Sequence, residues 1–160
     1  MKNALVSALA TIVVPGVAVI LVPYWILRAT GELNGPRIGL LETVAIALAL
    51  LGAVMVVWVS VAFVTRGKGT PVPVAPPQVL VAEGLYRFVR NPMYVGALLA
   101  LVAEALLFRS AWILLYAGFL WLALHTFTVL LEEPDLERRF GDSYRRYKAK
   151  TPRWIPRRPK

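Results

Sequence analysis

Apolar residues fall in four runs, at 4–27, 40–64, 93–108 and 111–131, and the stretches between them are short, charged or rich in proline. A helix needs about 20 apolar residues to cross a hydrocarbon core of about 30 Å. The first, second and fourth runs reach that length, while the third crosses only by borrowing residues from its flanks. Arg109-Ser110 supplies just enough polarity for a tight turn between the third and fourth runs. The first run is longer than the apolar core of a signal peptide, contains Pro15 and Pro23, and is followed by no small-residue cleavage site, so a retained helix is expected. The pattern predicts an all-α integral membrane protein with about four transmembrane helices, a cytoplasmic ordered loop and an amphipathic C-terminal helix.

Composition agrees. Of 160 residues, 58% are hydrophobic, and the mean hydropathy is +0.64, well outside the range of soluble domains. The net charge of +9 is concentrated in two places. Arg66, Lys68, Arg87 and Arg90 lie in the second loop, and the arginines and lysines from Arg138 to Lys160 crowd the tail. The first loop offers only Arg28 and Arg37, and the third only Arg109. The positive-inside rule then places both termini and the second loop in the cytoplasm, in the inner membrane if the source is bacterial. So basic a tail beside a membrane implies attraction to membrane lipids of negative charge rather than to nucleic acid. There is no cysteine and only one histidine, His125, so disulfides, thiolate sites and histidine metal clusters are excluded.

Along the chain, the prolines of the first run are expected to bend its helix, and Gly52 and Ala53 suit close helix packing in the second. The proline-rich stretch 66–77 favours an extended, semi-rigid path. Gln78-Val79-Leu80-Val81 continues it, Glu83-Gly84 reads as a turn, a helix restarts near Tyr86, and Asn91-Pro92 breaks it before the third run. In the tail, Pro134 suits the first turn of a new helix. Leu136, Phe140, Tyr144 and Tyr147 then recur at helical spacing opposite arginines, as in a helix lying on a membrane surface. This divides the chain into a two-helix anchor, 1–64, and a chemical core, 65–160, within one folding unit.

Candidate chemistry lies in the second half. Glu132 and Glu133 end the fourth run, where a carboxylate beside hydrocarbon requires a partner or a ligand. Ribose hydroxyls, a cationic ligand and a tail arginine all fit. His125, Thr128 and Glu132 share one helix face by their spacing, and His125 reads as an interhelical hydrogen-bonding residue or a base. Glu104 lies near the other end of the third run, where Arg109 or a first-loop arginine is the expected partner. Arg90, Asn91 and Tyr94 mark a polar pocket at the membrane surface.

Taken in order, Gln78-Val79-Leu80-Val81, Gly84-Leu85-Tyr86, Arg90-Asn91-Pro92-Met93-Tyr94-Val95-Gly96, Glu132-Glu133, Phe140-Gly141, Tyr144, Tyr147 and Pro152-Arg153-Trp154 resemble the isoprenylcysteine carboxyl methyltransferase family. That family forms a wider group with the phospholipid N-methyltransferases, and the resemblance covers about residues 66–158. It implies a multi-span membrane enzyme that binds S-adenosylmethionine at the cytosolic face, enclosed by the loop and the tail. It also implies cofactor contacts from Gln78, Val79, Leu80, Val81, Tyr86, Asn91, Pro92, Met93, Tyr94 and Glu132. The chain departs from the pattern twice. Asn91 stands where the family usually has histidine before the proline, which keeps hydrogen bonding and removes a titrating group. Thr128 stands where eukaryotic carboxyl methyltransferases place a substrate-contacting arginine, which weakens the case for a prenylcysteine carboxylate and leaves Thr128 facing the acceptor.

Methyl transfer from a sulfonium asks the protein mainly to align donor and acceptor and to exclude water. A carboxylate or thiolate acceptor needs no base, and an amine must first lose a proton, for which His125 is the candidate. The expected acceptor is lipophilic: a prenylated or acylated carboxylate, or a phospholipid amine. The competing expectations are an NADPH-dependent membrane reductase of related architecture and a non-enzymatic lipid-binding protein. The sequence does not specify an oligomeric state.

Overall fold

The computed structural model describes residues 13, 15–33, 35, 39–62 and 79–158. Among these, every regular element is helical. A π-helical turn, Val17–Leu21, runs into helix α1, Val22–Thr30, which ends at Gly31 in the left-handed region. Pro15 and Pro23 bracket this widened turn. Each lacks an N–H, so each removes a donor from the helical hydrogen-bond ladder on either side of the turn. Helix α2 spans Leu40–Ala62, α3 spans Pro92–Phe108 and α4 spans Ala111–Phe127. A second π-turn, Thr128–Glu132, carries α4 without a break into α5, Glu133–Phe140, and α6 follows over Asp142–Lys150.

Among the described residues, two helices are long and apolar enough to cross a membrane: α2, and the continuous helix Ala111–Phe140. The helices Val17–Thr30 and Pro92–Phe108 are apolar but shorter. The 17 residues of α3 rise about 26 Å, having borrowed only Pro92 from the flank. Helix α2 is apolar all round. It buries one stripe containing Ala45, Gly52, Met55, Val59 and Ala62, and it exposes Leu50, Leu51, Val54, Val57 and Val61 on the rest of its surface. Such a helix suits lipid on its outer side.

Helices α2 and α3 meet backbone to backbone. A Cβ on Gly52 would lie 2.5 Å from the Gly96 carbonyl oxygen, and one on Gly96 would lie 2.9 Å from the Gly52 oxygen. Ala53, expected to share this role, is exposed, because one residue along a helix turns the side chain by about 100°. A two-residue turn joins α3 to α4. Arg109 takes a left-handed conformation (φ 52°) that closes α3, and the Ser110 hydroxyl accepts the Ile113 N–H at 3.2 Å to cap α4. Leu27, Leu101, Ala105, Ile113 and Ala117 form the apolar core that ties α1 to this hairpin. The Tyr116 hydroxyl adds a hydrogen bond to the Ala18 carbonyl at 2.9 Å.

The structure corrects two sequence expectations. Arg109 does not pair with Glu104. Its guanidinium turns to the buried Glu42 of α2 at 3.0 Å, and one Glu104 carboxylate oxygen is buried without a hydrogen bond among the described residues. The C-terminal amphipathic helix is two helices, because Gly141 (φ 52°, ψ −127°) adopts a conformation that ends α5 and redirects α6. Its aromatic face is turned inward: Tyr144 is 2% exposed. Pro134 does occupy a first turn, but that turn continues α4 rather than opening a separate helix.

The glycine contact is testable by substitution. Gly52→Leu should destabilise the protein by about 1–3 kcal/mol through overpacking, while Ala53→Leu should leave it near native stability. Thermal unfolding of the two purified variants in detergent reads the difference.

Candidate active site

The loop before α3 and the tail after α6 are joined as a clasp. Gly84 begins a short 3-10 turn, Gly84–Arg87, with φ of +60°, and a Cβ there would fall 1.9 Å from the Trp58 ring. The position therefore requires glycine for both conformation and space. This turn buries Tyr86 against Val59, together with Trp58, Val81, Leu85, Met93 and Tyr147. The Arg90 N–H then donates to the Pro152 carbonyl at 2.9 Å, and the Arg157 N–H donates to the Phe88 carbonyl at 3.0 Å. The Asn91 side-chain amide adds a bond to the Arg153 carbonyl at 3.2 Å, and the Tyr147 hydroxyl adds one to the Tyr86 carbonyl at 2.8 Å.

A buried carboxylate locks the clasp. Glu133 accepts from Arg90 at 2.8 Å and from Arg153 through two nitrogens, at 2.6 and 3.0 Å. Arg90 comes from the loop, Arg153 from the tail and Glu133 from the start of α5, so one side chain holds three segments. Burial pushes the phenols around this clasp upward: Tyr86 and Tyr147 rise well above the ordinary value, and Tyr144 rises to about 12, helped by the charge of Glu133. They remain neutral hydrogen-bonding groups at physiological pH.

Glu132 behaves differently. Its Oε2 accepts the Tyr94 hydroxyl at 3.3 Å and the Thr128 hydroxyl at 3.4 Å. No lysine or arginine among the described residues pairs with it, and its other oxygen makes no hydrogen bond among them. The π-turn Thr128–Glu132 places the two glutamates so that one enters the clasp and its neighbour faces Tyr94. π-turns inside α-helices frequently mark functional positions.

Next to this carboxylate lies a group of rings. Trp154, from the tail, has its ring centroid 6.4 Å from Tyr94, 6.2 Å from Trp121 and 6.1 Å from His125. Its indole N–H donates to Nδ1 of His125 at 3.0 Å, and the imidazole stacks on Trp121 at 5.5 Å. Contacts therefore run from Thr128 through Glu132, Tyr94 and Trp154 to His125, linking α3, α4 with its π-turn, and the tail.

The sequence-predicted residues distribute as follows. The structure brings Tyr94, Thr128, Glu132 and His125 together. Asn91 is buried and holds the tail backbone, and Pro92 is buried at the first turn of α3. Met93 and Val81 pack on the Tyr86 cluster, Leu80 is half-buried, and Val79 is exposed. Gln78 lies outside the described residues. The tail arginine weighed for the glutamate pair is Arg153, on Glu133, while sequence reasoning missed Trp121 and the second partner of Glu133, Arg90. Trp121 precedes His125 by one helical turn, which was the available signal. The Arg90 pair had none, because 43 residues separate Arg90 from Glu133.

The profile of the phospholipid methyltransferase family matches residues 41–143, which include α2, the loop, the hairpin and both glutamates. The chain belongs to this family. It is 40% identical over 78 residues to protein-S-isoprenylcysteine O-methyltransferase of Schizosaccharomyces pombe, a match covering 48% of this chain and 33% of that protein. It is 39% identical over 72 residues to methanethiol S-methyltransferase 1 of Bradyrhizobium diazoefficiens, covering 45% of this chain and 24% of the relative. An uncharacterized protein of Haemophilus influenzae is 40% identical over 63 residues, 39% of this chain and the whole of that protein. The chain thus spans a third or less of the length of the first two relatives. The motif resemblance to isoprenylcysteine methyltransferases, within a wider group of phospholipid methyltransferases, agrees with both the family and these relatives.

Replacing each glutamate should separate their roles. Glu133→Ala strands two guanidiniums and should cost about 3 kcal/mol. Glu132→Gln removes a carboxylate that has no cationic partner among the described residues and should change stability by less than about 1 kcal/mol. Denaturation of the two variants side by side measures this.

Proposed function

We propose that this member of the family is an integral membrane, S-adenosylmethionine-dependent methyltransferase that acts on a lipophilic acceptor at the cytoplasmic membrane face. The reading takes α1 to α4 as the spans and both termini as cytoplasmic, in keeping with the arginines and lysines concentrated in the second loop and tail. The observation that carries it is Glu132: a carboxylate with no cationic partner among the described residues, held by Tyr94 and Thr128 beside Trp154 and His125, in a family of methyltransferases.

These residues fit the cofactor. S-adenosylmethionine supplies, when bound, an activated methyl group on a sulfonium, together with an ammonium and ribose hydroxyls. Glu132 would accept from such donors through its unused oxygen, and the rings of Tyr94 and Trp154 suit a neighbouring cation. Tyr86, Asn91, Pro92 and Met93 shape the wall, and the 78–81 segment is the expected place for the adenosine or the amino-acid part. Asn91 acts by fixing the tail that closes the site. Thr128 and His125 lie on the α4 side and face the acceptor. The clasp excludes water from the reacting groups.

The acceptor is a prenylated or acylated carboxylate, a phospholipid amine or a related lipophilic group. One relative is an isoprenylcysteine O-methyltransferase and another a methanethiol S-methyltransferase by name, so oxygen and sulfur both occur as methylated atoms among them. Thr128 in place of an arginine favours an acceptor that does not depend on a cationic anchor.

The test is ligand-dependent stabilisation. S-adenosylhomocysteine at 100 times its Kd should raise stability by about 2.7 kcal/mol, and Glu132→Ala should abolish the rise in melting temperature. Stabilisation by NADPH instead, or by neither ligand at millimolar concentration in folded protein, would overturn the assignment.

A further inference from the structure

The hydrogen bond between Trp154 and His125 has a chemical consequence for the site. An indole N–H is a donor only, so the imidazole nitrogen that receives it, Nδ1, must present a lone pair. In neutral imidazole the other nitrogen then carries the hydrogen. The ring is held in this orientation on its other side by Trp121, which stacks on it at 5.5 Å with planes inclined by 29°. Trp154 is itself fixed, because the residue before it, Arg153, is gripped by Glu133 through two nitrogens and by Asn91 through its carbonyl.

We infer that Trp154 is a positioning residue that commits His125 to the tautomer with hydrogen on Nε2, so that His125 serves the site as a hydrogen-bond donor rather than as a base. The lone pair is then spoken for: Nδ1 faces the tail, and Nε2–H is the group left to offer. A proton could be accepted at Nδ1 only by breaking the bond to Trp154 and loosening the tail. Granted the methyltransferase reading, on which this step rests, the acceptor that suits such a site arrives with its lone pair ready. That describes a carboxylate or a thiolate, whose charge an Nε2–H can orient, and not an ammonium that must first give up a proton.

The chain contains one histidine, so ¹⁵N-histidine labelling of the full-length protein in detergent reports this site alone. At a pH where the imidazole is neutral, the native spectrum should show a pyridine-type Nδ1 and a pyrrole-type, hydrogen-bearing Nε2. Trp154→Phe keeps a ring but removes the donor, and should shift both resonances toward the averaged values of a tautomer mixture. A native spectrum with hydrogen on Nδ1, or with mixed tautomers, would overturn the inference even if the variant failed to fold. So would a folded variant with an unchanged spectrum. The spectra are taken without ligand, so their outcome is independent of S-adenosylhomocysteine stabilisation. A locked tautomer in a protein that binds no S-adenosylhomocysteine would uphold the inference and sink the functional reading, and the reverse result would do the opposite.

Discussion

Everything chemically interesting in this protein depends on Glu133. Three chain segments that are remote in sequence converge on its carboxylate: the loop through Arg90, the tail through Arg153 and the end of the long helix through Glu133 itself. A carboxylate this buried is tolerable only when fully paired, and two guanidiniums satisfy it. Their positions in turn set the backbone pairing of residues 88–90 with 152–157, and that pairing brings Trp154 to α4. The clasp is electrostatic in origin, and its product is a precisely placed aromatic side chain.

The neighbouring glutamate shows how one residue of offset separates two jobs. In an uninterrupted α-helix, adjacent residues diverge by about 100°, and the π-turn widens the helix just where the doublet begins. Glu133 points into the arginine clamp and Glu132 toward Tyr94 and Thr128. The first is spent on structure, and the second keeps a carboxylate that meets no positive partner among the described residues beside a cluster of rings. Membership in the phospholipid methyltransferase family gives that unspent carboxylate a context.

Much of this was legible in the sequence, because the relevant signals were local. Run lengths indicated the helices of the hairpin and α2, Arg109-Ser110 indicated the turn, and the spacing of His125, Thr128 and Glu132 indicated a shared face. The ordered motifs pointed to the family. The rest depended on distance or on backbone detail. Nothing in a doublet says which glutamate is buried, since that follows from partners 20 and 43 residues away. The periodic aromatics of the tail suggested a membrane-surface helix, whereas Gly141 splits it and its tyrosines find protein partners instead. Glu104 and Arg109 looked matched by proximity along the chain, yet the left-handed turn swings Arg109 to Glu42.

The tail pairing also dictates an order of assembly. The bond from Asn91 to Arg153 joins residues 62 positions apart, and Arg157 returns to Phe88 across the intervening hairpin. During synthesis the chain emerges from its N-terminal end, so the α2–α3 glycine contact and the α3–α4 turn can form while the tail is still unmade. The run of contacts from Glu132 to His125 cannot be completed until Trp154 has left the ribosome. Loop closure over such a separation is slow relative to hairpin formation, so the helices come to rest first and the site is finished last, by a segment that is itself non-helical.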